Sequence, residues 1–339
     1  MSRQQRQALD ALLRSGPRLD TQPAPAELRT SFAAAVTRPA PEGVTTRRTV
    51  LGGRPAPAEL RTSFAAAVTR PAPEGVTTRR TVLGGRPALS LEPAGAADRG
   101  RLLYLHGGGY VAGSPDTHTG LAGELAARAG LRATSVDYRL APEHPFPAAV
   151  DDGLAAYRDL LATGADPREI VVAGDSAGGG LSIATLLAAR EAGLPQPAAV
   201  VVFSPWVDLT LSGESMRTKE DADPIVTAAG MRAFADLYIG SGNRNHPLAS
   251  PVFADLAGLP PILVQVGANE VLLDDAVRLA ARAGAAQVEA TLEIGPGLPH
   301  VYQTEHGRLD EADAALDRAA RFLVSHLGAL ADAGQVPGH

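Results

Sequence analysis

The segment EIVVAGDSAGGG, residues 169–180, decides the fold prediction for this chain. IVVAG is typical of a buried strand, and the alanine- and leucine-rich run after Ser176 is typical of a helix. Residues 174–178, GDSAG, match G-x-S-x-G, the pattern of a sharp strand-to-helix turn that displays its serine. Chance alone produces this pattern in roughly one chain of this composition in six, so the flanking strand and helix support the prediction more than the pattern does.

From about residue 76 onward, apolar strand-like runs alternate with helical segments, which predicts an α/β fold. The predicted strands are VTTRRTVL, ALSLE, RLLYL, ATSVDY, EIVVAG, AAVVVFS, ILVQVG and VEATLEIG. Helices are expected near 118–129, 147–162, 177–191, 273–283 and 303–327. The central strands are continuously apolar, as strands buried on both faces must be, so we predict a mostly parallel eight-stranded sheet flanked by helices. The long interval 207–257 between two strands predicts a helical cap over a site.

A glycine run follows the strand RLLYL, at residues 107–109. Its backbone N–H groups are unobstructed by side chains and suit the stabilisation of an oxyanion. The alternative is a flexible glycine turn, but the run lies two strands before Ser176, which favours the functional interpretation. His106 precedes the serine, whereas the expected chain order is serine, acid, histidine, so His106 is predicted to hold the loop.

His300 is the candidate base, because it follows the strand VEATLEIG by a short loop at the edge of the sheet. The other histidines after Ser176 fit less well. His306 and His326 are expected on the surface of the terminal helix, His246 in the cap and His339 at the chain terminus.

The candidate acid is Glu270, which lies four residues beyond Val266 in the loop after the strand ILVQVG. Asp274 and Asp275 are expected a turn later, on the next helix. Glu270 is favoured, and Asp274 stays open as the alternative.

HGGGY, GDSAGG and the run YRLAPEHPFPAA from Tyr138 resemble the hormone-sensitive-lipase family of α/β-hydrolase carboxylesterases, over roughly residues 76–327. The resemblance implies the α/β-hydrolase fold with a helical cap, and an oxyanion hole formed by Gly108, Gly109 and Ala177. The acid of that family is usually the first aspartate of D-x-L-x-D, where this chain has Glu270.

The function implied is that of a serine carboxylesterase acting on short- to medium-chain esters. LPHVYQ and NEVLLDDA are similar to monoterpene ε-lactone hydrolases, so opening of cyclic esters is the alternative. A more remote alternative is a non-catalytic ligand receptor on the same fold, although such receptors lack the triad histidine. An amidase or peptidase would use the same apparatus.

Composition narrows the remaining choices. The 339 residues include no cysteine, which excludes disulfides and thiolate metal sites, and we predict no cofactor and no metal. The net charge of −6 argues against nucleic acid as a partner. No apolar run approaches the roughly 20 residues of a membrane span, and the polar N-terminus lacks the core of a signal peptide. We therefore expect a cytoplasmic protein that binds a small-molecule ester or lactone, with a homodimer left open.

Residues 23–56 are repeated letter for letter as 55–88, a period of 32 residues. Two identical copies do not make a solenoid, which needs at least three. Only the second copy leads directly into the strands PALSLEP and RLLYL, so the first is predicted to be surplus unless it displaces its twin or swaps between chains. The predicted domains are an N-terminal arm, 1–74, and a catalytic domain, 75–334.

Overall fold

The computed structural model describes residues 50–51, 54–55, 57–97 and 100–328. A short antiparallel pair, β1 (Val50–Leu51) and β2 (Arg54–Pro55), comes first. The eight strands of the main sheet are β3 (Val76–Leu83), β4 (Arg86–Pro93), β5 (Arg101–Leu105), β6 (Arg132–Val136), β7 (Ile170–Asp175), β8 (Ala199–Phe203), β9 (Ile262–Gly267) and β10 (Ala290–Gly295). Their order is β10-β9-β8-β7-β5-β6-β4-β3. Only β4 runs antiparallel to its neighbours, β3 and β6, so the predicted mostly parallel sheet is confirmed.

Helices cover both faces of this sheet. They are α1 (Pro57–Val68), α2 (Thr119–Ala129), α3 (Ala148–Ala162), α4 (Ala177–Glu191), α5 (Ser215–Thr218), α6 (Ala228–Ile239), α7 (Leu273–Ala285) and α8 (Asp310–His326), with 3₁₀ turns at Pro167–Glu169, Pro251–Phe253 and Tyr302–Glu305. Alternate residues of the central strands point to opposite faces, where α3, α4 and α7 form one core layer and α2 and α8 the other. Strands β7, β8 and β9 are buried along their whole length, as their predominantly apolar sequences predict.

The structure divides the predicted terminal helix 303–327 into two parts. The 3₁₀ turn Tyr302–Glu305 is separated from α8 by Gly307, whose φ of 72° is incompatible with a helix. The carboxylate of Asp313 accepts the amide of Gly307 at 3.1 Å, which stabilises the break. His306 therefore lies in a loop, and its Nδ1 approaches Glu124 at 3.5 Å rather than facing solvent from a helix.

The second copy of the repeat contains the whole of α1 and β3 and the start of β4. Strand β3 pairs with β4 from Val76 opposite Pro93 to Leu83 opposite Arg86. Arg61 of helix α1 contacts the catalytic domain. Its side chain donates to the carbonyl of Val111 at 2.8 Å and forms an ion pair with Glu143. The first copy lies outside the described residues up to position 49, and the division between domains at residue 74 stays a prediction.

Candidate active site

Ser176 occupies a strained turn between β7 and α4. Its φ of 52° and ψ of −121° lie in a region that residues with a side chain rarely adopt, which indicates a functional position. Two backbone hydrogen bonds hold it there. The Ser176 amide donates to Phe203 O at 2.8 Å, and the Trp206 amide donates to Ser176 O at 2.9 Å.

The glycine at position 178 is required by close backbone packing. A Cβ there would lie 2.0 Å from the carbonyl oxygen of Leu105, at the end of β5. The first turn of α4 can therefore approach the carboxyl end of β5 only without a side chain at 178. This contact places the N-terminus of α4 beside the glycine loop that follows β5.

His300 contacts both of its predicted partners. Its Nε2 lies 3.0 Å from Ser176 Oγ, and its Nδ1 lies 2.8 Å from Glu270 Oε2. The side chain of His300 is only 7% exposed. Residues separated by 124 positions in the chain thus meet at the carboxyl edge of the sheet.

Glu270 is fully buried and its two carboxylate oxygens are divided between partners. Oε2 faces His300, whereas Oε1 accepts hydrogen bonds from the Ser204 hydroxyl, at 2.8 Å, and from the Gly267 amide. Asp274 has a different role. It lies in the first turn of α7, where its carboxylate accepts the Ser215 amide at 2.9 Å. The structure brings Glu270, and not Asp274, to the imidazole.

The pKa of His300 reflects two opposing effects. Burial alone lowers the pKa of the imidazole, but the hydrogen bond to Glu270 and the negative charges of Glu270, Asp223 and Asp175 together outweigh it. The pKa of His300 is therefore raised above its ordinary value of 6.5. The protonated form of the ring is therefore favoured relative to that of an ordinary histidine.

Three backbone amides near Ser176 are available as donors. Among the residues that the structure describes, none accepts a hydrogen bond from the amides of Gly108, Gly109 or Ala177. Ala177 is the first residue of α4, so its amide also carries the positive end of the helix dipole. Gly108 and Gly109 line the same cavity as Ser176 and His300. The arrangement suits a developing oxyanion, as the glycine run predicts.

The cap closes over the glycine loop through Phe234 of α6. A Cβ on Gly109 would lie 2.4 Å from the Phe234 ring, and the φ of Gly109 is 62°. Glycine at 109 therefore serves two purposes, leaving its amide accessible and letting the cap pack directly on the loop.

The cavity beside Ser176 is small, at about 100 Å³. Its wall is mostly apolar and comes from α1, α2, the cap and the loop after His300. The apolar lining residues are Phe64, Val68, Leu121, Ile225, Val226, Met231, Phe234 and Val301. Arg70, Thr117, His118, Asp175 and Thr304 add polar groups.

Three large aromatic side chains near the site lie in the core rather than in the cavity wall. Tyr110, Phe203 and Trp206 are at most 1% exposed, and none is part of the cavity lining described above. The ring of Tyr110 stacks on Tyr238 with centroids 3.9 Å apart. Tyr110 therefore packs against α6 of the cap, and Phe64 and Phe234 supply the aromatic part of the cavity wall.

Asp175, beside the nucleophile candidate, fixes the glycine loop. Its Oδ1 accepts the Tyr104 hydroxyl at 2.7 Å and the Gly107 amide at 3.1 Å, and its Oδ2 lies 3.3 Å from His118 Nε2. Burial raises the pKa of Asp175, but its neighbours, led by His118, more than reverse this, so the pKa is below its ordinary value. This role of Asp175 was not predicted from the sequence.

His106 lies within the glycine loop and contacts it directly. Its Nδ1 is 2.8 Å from Gly107 O, and its ring stacks on Tyr138 at 4.2 Å. Burial lowers the pKa of His106 to about 3, so the ring is neutral. These contacts agree with the loop-holding role predicted for it.

Metal-binding clusters and membrane-spanning helices are both absent from the described part of the chain. No set of three or more histidine, aspartate or glutamate side chains there is arranged to bind a metal ion. No helix in those ranges combines the length and apolar character needed to cross a bilayer.

Known proteins resemble this chain in sequence and in fold. A family model described as the alpha/beta hydrolase fold matches residues 102–304. The acetyl-hydrolase of Streptomyces hygroscopicus is 46% identical over 227 residues, which cover 67% of this chain and 76% of the relative.

Solved structures extend the likeness beyond the matched domain. The crystal structure of an esterase from the bacterial hormone-sensitive lipase family has a TM-score of 0.82 and 41% identity, and the match covers 97% of this chain and 100% of that one. The structure of EstE5 soaked with p-nitrophenyl butyrate has a TM-score of 0.81 and 36% identity, covering 95% and 98% of the two chains. The relationship predicted from HGGG and GDSAG is confirmed, and the chain belongs to the α/β-hydrolase family.

Proposed function

We propose that the protein is a serine carboxylesterase that hydrolyses short- to medium-chain esters through an acyl-enzyme. The observation that carries the proposal is the unbroken chain of hydrogen-bonding contacts from Ser176 through His300 to Glu270. It ends at a cavity where two glycine amides are free to bind an oxyanion.

In the acylation step, neutral His300 donates its Nδ1 proton in a hydrogen bond to Glu270 and accepts the Ser176 proton at Nε2. The Ser176 oxygen attacks the ester carbonyl, and the amides of Gly108, Gly109 and Ala177 bind the resulting oxyanion. The tetrahedral intermediate then expels the alkoxide, which takes the proton from His300 and leaves as the alcohol.

In the deacylation step, His300 removes a proton from water while the water oxygen attacks the acyl carbonyl. The same amides bind the second oxyanion. Collapse of this intermediate releases the carboxylic acid and returns the proton to Ser176. Glu270 stays ionised throughout and stabilises the imidazolium that forms in each step.

The size of the cavity supports a preference for small acyl groups. Its volume of about 100 Å³ is well below the roughly 300–1,000 Å³ of pockets that hold drug-sized ligands. The Streptomyces relative is named an acetyl-hydrolase, which points in the same direction. We therefore expect acetyl to hexanoyl esters to be better substrates than long-chain ones.

The test is a series of p-nitrophenyl esters from acetate to palmitate, with ε-caprolactone as a cyclic substrate. We expect kcat/KM to be highest among the short esters and to fall steeply for long chains. Faster turnover of the lactone than of any acyclic ester would favour the lactone hydrolase instead. A folded protein that hydrolyses none of these substrates would favour the non-catalytic receptor, against which the contact between His300 and Ser176 already argues.

The pH dependence follows from the raised pKa of His300. Because the base must be neutral, kcat/KM should rise with pH and be half-maximal above the ordinary histidine value of 6.5. Glu270→Gln removes the charge that raises this pKa, so the rise should move to lower pH as the maximal rate falls. A rate that is flat or decreases between about pH 6 and 7.5 would contradict the assignment of His300 as the base.

The identical repeat copies offer a matched pair of substitutions. Phe64 is 5% exposed and lines the cavity, whereas Phe32 is its counterpart in the first copy. If the first copy is surplus, Phe64→Ala should lower kcat/KM by about 10-fold through lost apolar contact, and Phe32→Ala should leave it unchanged. Equal losses in the two variants of the full-length chain would show that both copies serve the site.

A further inference from the structure

We infer that Ser204, which has no part in the triad, is a positioning residue that aligns the acid and the base. The inference rests on the proposed function, since it concerns the same reaction. Ser204 directly follows β8 and is fully buried. It is not among the residues that line the cavity, so its effect on a substrate must pass through other side chains.

The Ser204 hydroxyl makes two hydrogen bonds with opposite polarity. It donates to Glu270 Oε1 at 2.8 Å, and it accepts the Val301 amide at 3.0 Å. Val301 is the residue after His300 and has a φ of 47°. One oxygen atom therefore joins the carboxylate to the backbone that carries the imidazole.

The segment around Ser204 also holds the nucleophile. The carbonyl of Phe203 accepts the Ser176 amide, and the amide of Trp206 donates to the Ser176 carbonyl. Residues 203–206 thus contact the backbone of the serine, the carboxylate of the acid and the residue that follows the base. The carboxyl end of one strand sets the relative positions of all three.

The hydroxyl matters because Glu270 has a longer side chain than aspartate and can adopt more rotamers. Among the described residues, the two outside the triad that bond to the Glu270 carboxylate, Ser204 and Gly267, both bond to Oε1. Loss of the Ser204 hydroxyl would leave one of these two restraints and would also leave the buried Val301 amide unpaired. Both changes loosen the contact between Glu270 and His300.

Two substitutions distinguish the effect of losing the Ser204 hydroxyl from the effect of backbone strain at this position. Ser204 has a φ of 45°, which strains alanine but suits glycine. Ser204→Gly should therefore be more thermally stable than Ser204→Ala. If the hydroxyl positions the triad, both variants should lose about 10- to 100-fold in kcat for p-nitrophenyl butyrate, with KM changed less than about twofold.

The decisive measurement repeats Ser204→Ala in a Glu270→Ala background. A residue that acts through Glu270 should have little further effect there, about twofold or less in kcat. If the double variant loses kcat by the full product of the losses in Ser204→Ala and Glu270→Ala, the inference is overturned. It is also overturned if Ser204→Ala and Ser204→Gly both keep the wild-type kcat.

A buried serine elsewhere provides the control. Ser182 lies within α4, is fully buried and donates to Gly178 O at 2.7 Å. Ser182→Ala should keep kcat within about twofold of the wild type, because no triad atom contacts its hydroxyl. Absence of ester hydrolysis by the wild type would count against the proposed function, whereas an active wild type with unaltered Ser204 variants would count against this inference alone.

Discussion

Replacing Ser176 with alanine is expected to lower kcat for p-nitrophenyl butyrate by at least about 10⁴-fold. Alanine removes the attacking oxygen, and water cannot be held at the same point by His300 alone. The fold should persist, because the backbone of Ser176 is held by Phe203 and Trp206 rather than through its side chain. The same loss is expected for His300→Ala, since the serine then has no base.

Thermal unfolding of these variants must be measured together with kcat, to show that they are folded. The unfolding temperature of Ser176→Ala should lie close to that of the wild type, because alanine tolerates the φ of 52° about as well as serine. Retention of more than a few per cent of the wild-type kcat in a correctly folded Ser176→Ala variant would assign the chemistry to another residue.

Glu270→Ala is expected to lower kcat by about 10³- to 10⁴-fold, whereas Asp274→Ala should change it by less than about threefold. Glu270 orients His300 and stabilises its cation, so its loss affects the transition state directly. Asp274 only accepts the Ser215 amide near the start of α7, so its loss should reduce the free energy of unfolding by about 1 kcal/mol.

These two variants form their own control, because both remove a carboxylate from the same loop-helix segment. Measurement of kcat and of the unfolding temperature separates the roles. If Asp274→Ala were inactive and Glu270→Ala active, Asp274 would be assigned as the acid of the triad.

Much of the fold was predictable because its central strands are buried on both faces. Short, predominantly apolar runs such as those of β7, β8 and β9, each bounded by turn residues, are typical of buried strands. The ends of elements were less predictable. β10 begins at Ala290 rather than 288, since its pairing with β9 starts opposite Ile262, and the break at Gly307 depends on the side chain of Asp313.

The candidate triad was predictable from spacing, since each member follows the carboxyl end of a strand. Parallel strands bring these ends to one edge of the sheet, so a serine after β7 and an acid after β9 approach each other there. Ser204 stands at the same edge, directly after β8, and that position was the available signal for its role.

The apolar residues of the cavity wall were not predictable, because they come from helices and loops with no strand periodicity. Phe64 and Phe234 reach the site from α1 and α6, and only the packing of these helices on the sheet decides which faces point inward. Asp175 was part of the recognised motif, yet its contact with the Gly107 amide depends on a neighbouring strand.

Covalent labelling of the nucleophile tests the central claim most directly. An aryl dialkyl phosphate should react with the Ser176 oxygen, forming an O–P bond and releasing one equivalent of the aryl alcohol. Intact-mass measurement and peptide mapping should then find one dialkylphosphoryl group per chain, on Ser176, with ester hydrolysis lost in proportion. Attachment to a different residue, or full esterase activity in chains that carry the label at Ser176, would contradict the account.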